Sequence, residues 1–413
     1  MNILFIHQNY PGQYREYIPQ LAATGDHKIA FLTQRTAVPQ VKDHFIGVYK
    51  AMHKPKPETW RFARWFETTI GNAGGAARAC KVLRDKGFIP DLVTGHANWG
   101  ELIFVKDVWP DTKLIGLFEY YFLAKGGLVN FDPEVKSSLD SAQLLFVNNA
   151  PNYLSMEKCD AGVSPTKWQR DTHPLSLRGK ITVLHDGIRT DKLKPDHDSD
   201  LKVTCGETTF VRGEEIITYI ARNLEPSRGI HTMLRSLPRL QALRPKARLA
   251  VIGGDGVSYG SQPPKGQTFR GMLMAELGDS VDWSRVHFLG QLPYGTLMNL
   301  IRLARCHVYL TVPFVLSWSL MEAMALEKTV VATDVAPVRE VVDDGKTGFL
   351  FDYFKPVDLA ERVADVLAHK DNYRNIGIDA RRRMVEEYDF LTLRFPAWKQ
   401  FCNQFVPRAK QFA

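Results

Sequence analysis

A single glutamate, Glu322, stands in a stretch of the chain whose residues suit the binding of a nucleotide's sugar. The stretch runs from Thr311 to Gly348, and within it the segment LMEAMAL surrounds Glu322 with small and apolar residues. A carboxylate on such a buried helix needs a polar partner. The two hydroxyls of a ribose can supply one, and the nearby helix N-terminus can hold the phosphates that follow. The alternative is a glutamate that caps the helix or forms an ion pair.

Two arginines and a glycine turn precede this stretch. The segment YIARNLEPSRGI places Arg222 and Arg228 around a turn, and Gly229 then opens a helix. Two guanidiniums near a helix N-terminus suit a diphosphate, although two solvated surface arginines are the alternative. Further on, HFLGQL has a glycine turn at Gly290, and the exposed backbone of Leu289–Leu292 could read the edge of a base. A tight connection from a strand to a helix would use the same glycine.

Both halves of the chain alternate apolar, strand-like runs with helix-like segments, which is the pattern of parallel βα units. The predicted strands of the first half are Asn2–His7, Lys28–Thr33, Asp91–Thr94, Leu114–Phe118, Leu144–Val147 and Ile181–Leu184. Those of the second half are Ile216–Ile220, Ala247–Ile252, Val286–Leu289, Val308–Val312, Thr329–Ala332 and Gly348–Leu350. The pattern predicts an α/β fold of two doubly wound domains that face each other across a cleft, with ligands at the carboxyl ends of the strands.

A polar stretch after Pro195 predicts the linker between the two domains. We therefore expect a first domain over residues 1–200, which would bind the acceptor, and a second over 201–387, which would bind the donor. Residues 388–413 form a helical tail whose spaced aromatic side chains need a surface to pack on. This tail is expected to cross back onto the first domain.

The bulk composition narrows the function class. The chain has 413 residues, of which 45% are hydrophobic and 24% charged, as in folded soluble proteins. Its net charge of +8 favours anionic partners, but no RNA- or DNA-binding motif occurs, so nucleic acid is not expected as a partner. The five cysteines are scattered without a CxxC pair, which argues against disulfides and zinc. Without a leader or a long apolar run, the chain is expected to be cytoplasmic.

Residues 59–88 interleave aromatic and basic side chains on a predicted helix, TWRFARWFETTIGNAGGAARACKVLRDKGF. Such a face suits an anionic membrane, for example the inner face of the plasma membrane, or a lipid-linked acceptor. The alternative is an ordinary helix whose aromatic residues lie in the core and whose basic residues face water.

The order of the segments R…RG, GGDG, HFLG, LMEAMA, VVATD and REVVDDGKTGFL resembles that of the retaining glycosyltransferases of the GT-B fold, specifically family 4, over Tyr219–Leu367. The first half is similar more loosely, through HQNYPGQYR, PDLVTGHANWGE and ITVLHDGIRTDKLKP, and its opening is similar to that of a bacterial subgroup. The resemblance implies two Rossmann-like domains. It also implies transfer of a sugar from a nucleoside diphosphate donor to a glycan or lipid-linked acceptor, as in polysaccharide biosynthesis.

Carried over position by position, the resemblance implies that Arg222 and Arg228 bind the donor diphosphate and that Glu322 binds the ribose hydroxyls. Near the base it places Gly290 and Gln291. Backbone amides at the start of the helix would approach the distal phosphate and the sugar, namely those of Leu316, Ser317, Trp318, Ser319 and Leu320.

In the first half, the resemblance places His96 at a strand end, facing the donor sugar. Gly12 would lie on the phosphate or acceptor side, together with His7, Asn9 and Arg15. A histidine that merely ends a strand is the alternative for His96.

One position departs from the family's pattern. The family usually carries a second glutamate eight residues before the ribose-binding one, and this chain has Phe314 there, followed by Ser317 and Ser319 near the usual place of glycines. Either Ser317, Ser319 or His96 serves in catalysis, or the chain is a catalytically weak subunit that binds a sugar nucleotide. A sugar-nucleotide epimerase of the same fold is a further alternative.

A mechanism without an enzyme nucleophile is compatible with this departure. The acceptor would attack on the face that the diphosphate leaves, and the leaving phosphate would take the acceptor proton. The arginines and amides would stabilise the departing diphosphate, so neither a metal nor any cofactor beyond the donor nucleotide is expected. The DxD-like segment Asp196-His197-Asp198 is not expected to bind Mg²⁺, because it falls in the predicted linker, where it would be solvated.

Overall fold

The computed structural model describes residues 1–135, 138–197 and 200–412 of the chain. These residues divide into two compact units. The first unit comprises Met1–Lys125, Lys136–Gly187 and Phe390–Ala413, and the second comprises Gly126–Val135 and Ile188–Asp389. Asp198 of the segment Asp196-His197-Asp198 lies outside the described residues. None of the described helices is both long and apolar enough to span a bilayer.

The first unit contains a seven-stranded parallel sheet in the order β3-β2-β1-β4-β5-β6-β7. Its strands are β1 (Asn2–Ile6), β2 (Lys28–Thr33), β3 (Phe45–Val48), β4 (Leu92–His96), β5 (Lys113–Leu117), β6 (Ala161–Ser164) and β7 (Ile181–Val183). Its helices are α1 (Tyr17–Ala23), α2 (Arg61–Asp85), α3 (Val105–Val108), α4 (Leu139–Val147), α5 (Ala150–Lys158), α6 (Lys167–Thr172) and α7 (Leu175–Arg178). Central strands such as β1 and β4 are almost wholly buried because helices cover both faces of a parallel sheet.

The strand predicted at Leu144–Val147 is wrong, because these residues form the last turns of α4. The hydroxyl of Ser138 accepts a hydrogen bond from the amide of Ser141 at 3.2 Å and caps the helix. The apolar run LLFV reads equally well as a short strand or as part of a helix. The strand that follows β5 in the sheet is instead β6, whose sequence is AGVS.

The second unit contains a six-stranded parallel sheet in the order β12-β11-β10-β13-β14-β15, and a separate antiparallel hairpin. The hairpin pairs β8 (Lys202–Cys205) with β9 (Thr208–Val211), so part of the predicted linker is a folded element. The sheet contains β10 (Ile216–Asn223), β11 (Arg248–Gly254), β12 (Val286–Phe288), β13 (Cys306–Tyr309), β14 (Thr329–Thr333) and β15 (Phe349–Phe351). The helices are α8 (Ile230–Leu243), α9 (Phe269–Leu277), α10 (Tyr294–Leu303), α11 (Trp318–Ala325), α12 (Ala336–Arg339), α13 (Pro356–Ala368) and α14 (Arg374–Tyr388).

The C-terminal tail returns to the first unit. A π-helical turn over Phe390–Arg394 leads into α15 (Phe395–Asn403). The rings of Phe390 and Trp398 each lie 5.1 Å from the ring of Tyr17 on α1, centroid to centroid. The spaced aromatics of the tail therefore complete the core of the N-terminal unit, and the two parallel sheets confirm the predicted two-domain α/β fold.

Candidate functional site

In the second unit, Arg228 is held against the loop that follows β13. One guanidinium nitrogen, Nη1, donates to Oγ1 of Thr311 and to the carbonyl oxygen of Val315, each at 3.1 Å. Its carbon Cζ lies 5.3 Å from the centroid of the Phe314 ring. These partners are all uncharged, so they orient the guanidinium while leaving its charge available to an anion.

The turn that carries Arg228 needs a glycine at its end. Gly229 has φ +68°, and a Cβ placed there would lie 2.6 Å from the Cβ of Leu310. A larger residue would push α8 away from β13, since atoms at that distance clash. Gly229 thereby brings Arg228 to the carboxyl end of the sheet, where parallel α/β sheets bind their ligands.

Phe314, which stands where the resemblance implies a glutamate, is a buried part of this arrangement. Its ring centroid lies 4.7 Å from that of Tyr259, at an interplanar angle of 60°, and the Arg228 guanidinium lies over the same ring. A cation over an aromatic face is attracted by the ring quadrupole, whereas a carboxylate at this place would pair with the arginine. Phe314 therefore positions Arg228 without neutralising it.

The loop after β11, which carries Tyr259, is itself tied down by a buried carboxylate that sequence reasoning missed. Glu225 accepts hydrogen bonds from the backbone amides of Ser258 and Tyr259 at 3.2 Å and of Gly260 at 3.3 Å. The Asn223 side-chain amide also donates to the hydroxyl of Ser258 at 2.8 Å. Three convergent amides satisfy a carboxylate that is almost completely buried. Glu225 thus links the arginine turn to the glycine-rich loop.

Gly290 and Gln291 lie beside this loop. The carbonyl oxygen of Gly290 accepts a hydrogen bond from the amide of Gly253 at 3.0 Å, and Gly290 has φ +63°. Both Gly290 and Gln291 are exposed, at the carboxyl end of β12. The sequence predicts that the exposed backbone of this segment faces a base, and this contact stays a prediction.

The N-terminus of α11 is built from the two candidate serines. Ser317 caps the helix, and its hydroxyl lies 3.4 Å from the amide of Ser319 and 3.0 Å from the Ser319 hydroxyl. The amide of Ser317 donates to the hydroxyl of Tyr309 at 2.7 Å. Both hydroxyls are thus engaged in the capping turn. Their neighbours Leu316 and Trp318 are partly exposed, while Leu320 is buried in the core.

Glu322 lies inside α11 and is buried, and a tyrosine is bonded to it. The hydroxyl of Tyr294, the first residue of α10, donates to Oε1 of Glu322 at 2.8 Å. Tyr294 itself is exposed, so the pair joins a buried carboxylate to the surface. Sequence reasoning did not find Tyr294, because nothing in the sequence indicates that it lies beside a residue 28 positions away. Arg222, the other predicted diphosphate ligand, is exposed near the end of β10.

In the first unit, His96 ends β4 and forms a pair with Glu119. Its Nδ1 lies 3.2 Å from the amide of Asn98, which donates to it, and its Nε2 lies 3.1 Å from Oε2 of Glu119. Since Nδ1 accepts, Nε2 carries the proton that is donated to the carboxylate. The amide of Gln13 donates to the other carboxylate oxygen at 3.1 Å.

His7 and Gly12 pack beside this pair. Burial first, and the nearby His96 second, lower the pKa of His7 to about 3, so the ring is neutral. Gly12 has φ +54°, and a Cβ there would lie 2.9 Å from Nδ1 of His7. Burial raises the pKa of Glu119, but the hydrogen bond and charge of His96, the hydrogen bond from Gln13 and the charge interaction with His7 together outweigh burial, and the pKa lies below its ordinary value. Glu119 is therefore an anion beside two imidazoles at the carboxyl ends of β1, β4 and β5.

Models of two known families match the two halves of the chain. Residues 25–193 match the glycosyl transferase family 4 group, and residues 207–383 match the glycosyl transferases group 1. Among curated proteins, the alpha-maltose-1-phosphate synthase of Mycolicibacterium smegmatis is 25% identical over 57% of this chain and 61% of that protein. The chain spans about half the length of the curated relatives it matches.

Two solved structures share the fold along almost the whole chain. The sucrose-phosphate synthase from Thermosynechococcus elongatus has a TM-score of 0.71 at 16% identity, covering 98% of this chain and 99% of that one. HepE from Anabaena, in complex with UDP-glucose, has a TM-score of 0.67 at 14% identity, covering 97% and 99%. At these identities, the likeness establishes the fold alone.

Proposed function

We propose that this chain, which belongs to the GT-B glycosyltransferases of the group 1 and family 4 type, transfers a sugar from a nucleoside diphosphate sugar to a glycan or lipid-linked acceptor. The observation that carries the proposal is the placement of Arg228. It lies over Phe314 and bonds to the loop that leads into α11, the helix of Glu322. A fixed cation whose partners among the described residues are uncharged, and a buried carboxylate on an adjoining element, suit a diphosphate and a ribose.

In this proposal, the donor diphosphate is held by Arg228, with Arg222 as its exposed second cation, and by amides at the start of α11. Arg228 suits this work because its planar fork can bond two phosphate oxygens at once. Glu322 would accept hydrogen bonds from the ribose hydroxyls, with Tyr294 keeping the carboxylate in place until the donor binds. HepE is bound to UDP-glucose in its solved structure, so UDP-glucose is the first donor to test.

The reaction proposed here retains the configuration of the sugar and uses no enzyme nucleophile. The bond between the anomeric carbon and the phosphate oxygen breaks, and the acceptor oxygen bonds to the same face of the sugar. The acceptor proton passes to the departing phosphate oxygen. Positive charge beside the leaving group lowers the barrier without a metal, and Arg228 supplies it because Phe314 leaves it unneutralised.

In the first unit, we propose that His96 binds the transferred sugar and that Glu119 orients His96. Glu119 keeps the His96 ring in one tautomer and one orientation, as a carboxylate does for a histidine in many active sites. His7 and Gly12 pack beside the pair and limit the space that the His96 ring can occupy. Ser317 and Ser319 are engaged in capping α11, which favours a binding role for them over a chemical one.

The second candidate function is a catalytically weak subunit that binds a sugar nucleotide, and Phe314 favours it because the resemblance implies a carboxylate at this position. One experiment separates the two. The protein is incubated with UDP-, GDP- and ADP-sugars and a panel of glycan acceptors, and ¹H NMR follows the release of nucleotide and the anomeric signal of the product. A transferase gives acceptor-dependent release with retention. Tight binding with no turnover of any donor supports the weak subunit, and turnover without an acceptor supports an epimerase or a hydrolase.

A further inference from the structure

A histidine and two carboxylates of the second unit lie close enough together to hold a metal ion. They are Asp132 and Glu134, in the segment Gly126–Val135, and His231 on α8. One ligand atom from each of these side chains lies within 4.8 Å of the other two. We propose that the three side chains bind a divalent transition-metal ion of the Zn²⁺ type. The inference concerns residues that the proposed transfer reaction does not use, so it does not depend on that reaction.

An aromatic side chain brings the two elements of this site together. The segment Gly126–Val135 lies between two parts of the first unit in the sequence, but it packs in the second unit. The Phe131 ring of this segment lies 5.5 Å from the ring of Tyr353, centroid to centroid. The His231 ring, at the start of α8, lies 5.5 Å from the same Tyr353 ring. Tyr353 thus holds the segment and the start of α8 side by side.

Asp132 and His231 form the buried half of the site, with exposed fractions of 5% and 8%. Oδ1 of Asp132 accepts a hydrogen bond from the amide of Glu134 at 2.9 Å. The other oxygen, Oδ2, lies 3.0 Å from Nε2 of His231, but no hydrogen bond of normal geometry reaches Oδ2 from the described residues. A buried, charged oxygen without a hydrogen bond is costly, and a metal ion would supply its partner.

The charge state of Asp132 suits a metal ligand. Burial raises the pKa of Asp132, but the interactions with His231, the amide of Glu134 and the charge of Arg235 together outweigh burial. The pKa therefore lies below its ordinary value, and the carboxylate is charged at neutral pH. Metal ligands must be deprotonated, so no proton has to leave Asp132 when an ion binds.

The distances also suit one shared ion. Bonds from Zn²⁺ to nitrogen and to oxygen are about 2.0–2.2 Å long, so two ligand atoms of a tetrahedral site lie about 3.3–3.5 Å apart. Oδ2 of Asp132 and Nε2 of His231, at 3.0 Å, need to separate only slightly. Glu134 is the exposed ligand, with 56% of its side chain accessible. It can therefore turn to complete the site without disturbing the core.

Arg235, one turn after His231 on α8, orients this exposed ligand. Its Nη1 donates to Oε1 of Glu134 at 2.6 Å, and its Nε and Nη2 donate to the two oxygens of Glu276 at 2.6 and 3.1 Å. Glu276 offsets the charge of Arg235. The carboxylates of Asp132 and Glu134 then leave two negative charges, which match a divalent cation. Ligating carboxylates are commonly hydrogen-bonded in this way, and the second oxygen of Glu134 can bind the ion.

The mixture of ligand atoms selects the class of metal. Imidazole suits Zn²⁺, Cu²⁺, Fe²⁺ and Ni²⁺, whereas Mg²⁺ and Ca²⁺ prefer sites made of oxygen atoms. Three protein ligands and one position open to water are a common arrangement around Zn²⁺. The ion would fasten the segment Gly126–Val135 to α8. The alternative is an ion pair between Asp132 and a protonated His231, with no metal.

Isothermal titration calorimetry of the full chain tests this inference, with a protein that carries no histidine tag and has been treated with EDTA. The probes are zinc chloride alone and magnesium chloride alone. We expect one Zn²⁺ to bind per chain, and we expect no measurable binding of Mg²⁺. Each of the variants Asp132→Asn, Glu134→Gln and His231→Gln should weaken Zn²⁺ binding roughly tenfold or more, because changes even in the groups that support a ligand cost about 10–100-fold.

A matched control is another histidine that lies beside a carboxylate. Nδ1 of His369 lies 2.9 Å from Oδ1 of Asp365, and both side chains are more exposed than Asp132 and His231. His369→Gln and Asp365→Asn should leave the Kd for Zn²⁺ within twofold of the parent. Zn²⁺ should also raise the Tm of the parent and of both control variants, because an ion that binds only the folded chain stabilises it. It should not raise the Tm of Asp132→Asn.

Three results would overturn the inference. They are no binding of Zn²⁺ by the parent, equal losses of affinity in the site and control variants, and equal affinities for Zn²⁺ and Mg²⁺. No Zn²⁺ binding together with a lower free energy of unfolding for Asp132→Asn would assign Asp132 and His231 to an ion pair alone. Circular dichroism shows whether each variant folds. Because Glu134 is exposed, Glu134→Gln keeps the test decisive even where a variant at a buried position does not fold.

Discussion

Replacing Phe314 with leucine should weaken the binding of a nucleoside diphosphate, although Phe314 is buried and need not touch the ligand. The structure places its ring under the Arg228 guanidinium at 5.3 Å and beside Tyr259 at 4.7 Å. A cation–π contact of this kind contributes about 0.5–2 kcal/mol, and an aromatic pair about 0.5–1.5 kcal/mol. Leucine keeps the site apolar and removes both. We expect the free energy of unfolding to fall by about 1–3 kcal/mol.

The loss in the binding free energy of UDP should be smaller than the loss in the free energy of unfolding. If orientation of Arg228 accounts for about 1 kcal/mol of the binding free energy, the Kd for UDP rises about fivefold, while the Kd for uridine stays the same. Isothermal titration calorimetry measures both. In a double-mutant cycle, Phe314→Leu should have no further effect on UDP once Arg228 is alanine, because the two residues act through one contact.

The second unit contains a matched control for this experiment. Phe349 is equally buried in the core, lies under the guanidinium of Arg362 at 4.5 Å, and packs on Tyr373 at 5.1 Å. Phe349→Leu should therefore destabilise the fold by a similar amount and leave UDP binding unchanged. Additive effects of Phe314→Leu and Arg228→Ala on UDP binding, or an equal rise in Kd for Phe349→Leu, would refute the reasoning.

Three more predictions concern single carboxylates and a buried histidine. Glu322→Gln should raise the KM of the donor several-fold with little change in kcat, because it weakens ribose binding alone; an unchanged KM would count against that role. Glu119→Gln keeps an acceptor for His96 but removes the charge, so kcat should fall about tenfold in initial-rate assays. The control is Glu67→Gln, which alters another carboxylate bonded to a histidine and should leave kcat unchanged. Burial lowers the pKa of His307 to about 3, so the folded protein resists protonation while the unfolded chain accepts it below pH 6.5. The contribution of the neutral His307 to stability should therefore be full above pH 6.5 and should be lost as the pH falls below that value. Urea unfolding at pH 7.5 and pH 5 measures the loss, and His307→Gln should make it smaller by about 2 kcal/mol. Equal losses in the parent and the variant would contradict this.

The sequence predicts most of the architecture because buried parallel strands are near-continuous apolar runs. Strands such as β2 and β14 lie where those runs occur. Prediction from apolar runs fails where a strand is short and made of small residues, as in β6. It also fails where an apolar run belongs to a helix, as in α4. The sequence LLFV alone does not show whether it forms a strand or a helix. The helix begins at a cap, in which the amide of Ser141 donates a hydrogen bond to the hydroxyl of Ser138.

The sequence indicates candidate site residues where one residue type at one spacing suits the binding of a nucleotide. Arg228 stands out in the sequence as a charge next to a glycine, and Glu322 as a charge among small and apolar residues of a helix. Their partners could not be found in this way, because they come together only through the fold. Glu225 reaches amides 33 to 35 residues away, and Tyr294 bonds to a carboxylate 28 residues away. Phe314 is a departure from a pattern, and only the structure gives it a role.

The central claim is that Arg228 holds the donor diphosphate, and the most direct measurement compares UDP with uridine. Isothermal titration calorimetry of the parent and of Arg228→Ala gives four dissociation constants. The account predicts that the variant binds UDP at least tenfold more weakly and binds uridine as the parent does, because a charge-assisted bond to phosphate contributes about 1.5–3 kcal/mol. Equal weakening of both ligands, or unchanged affinity for UDP, would contradict the account.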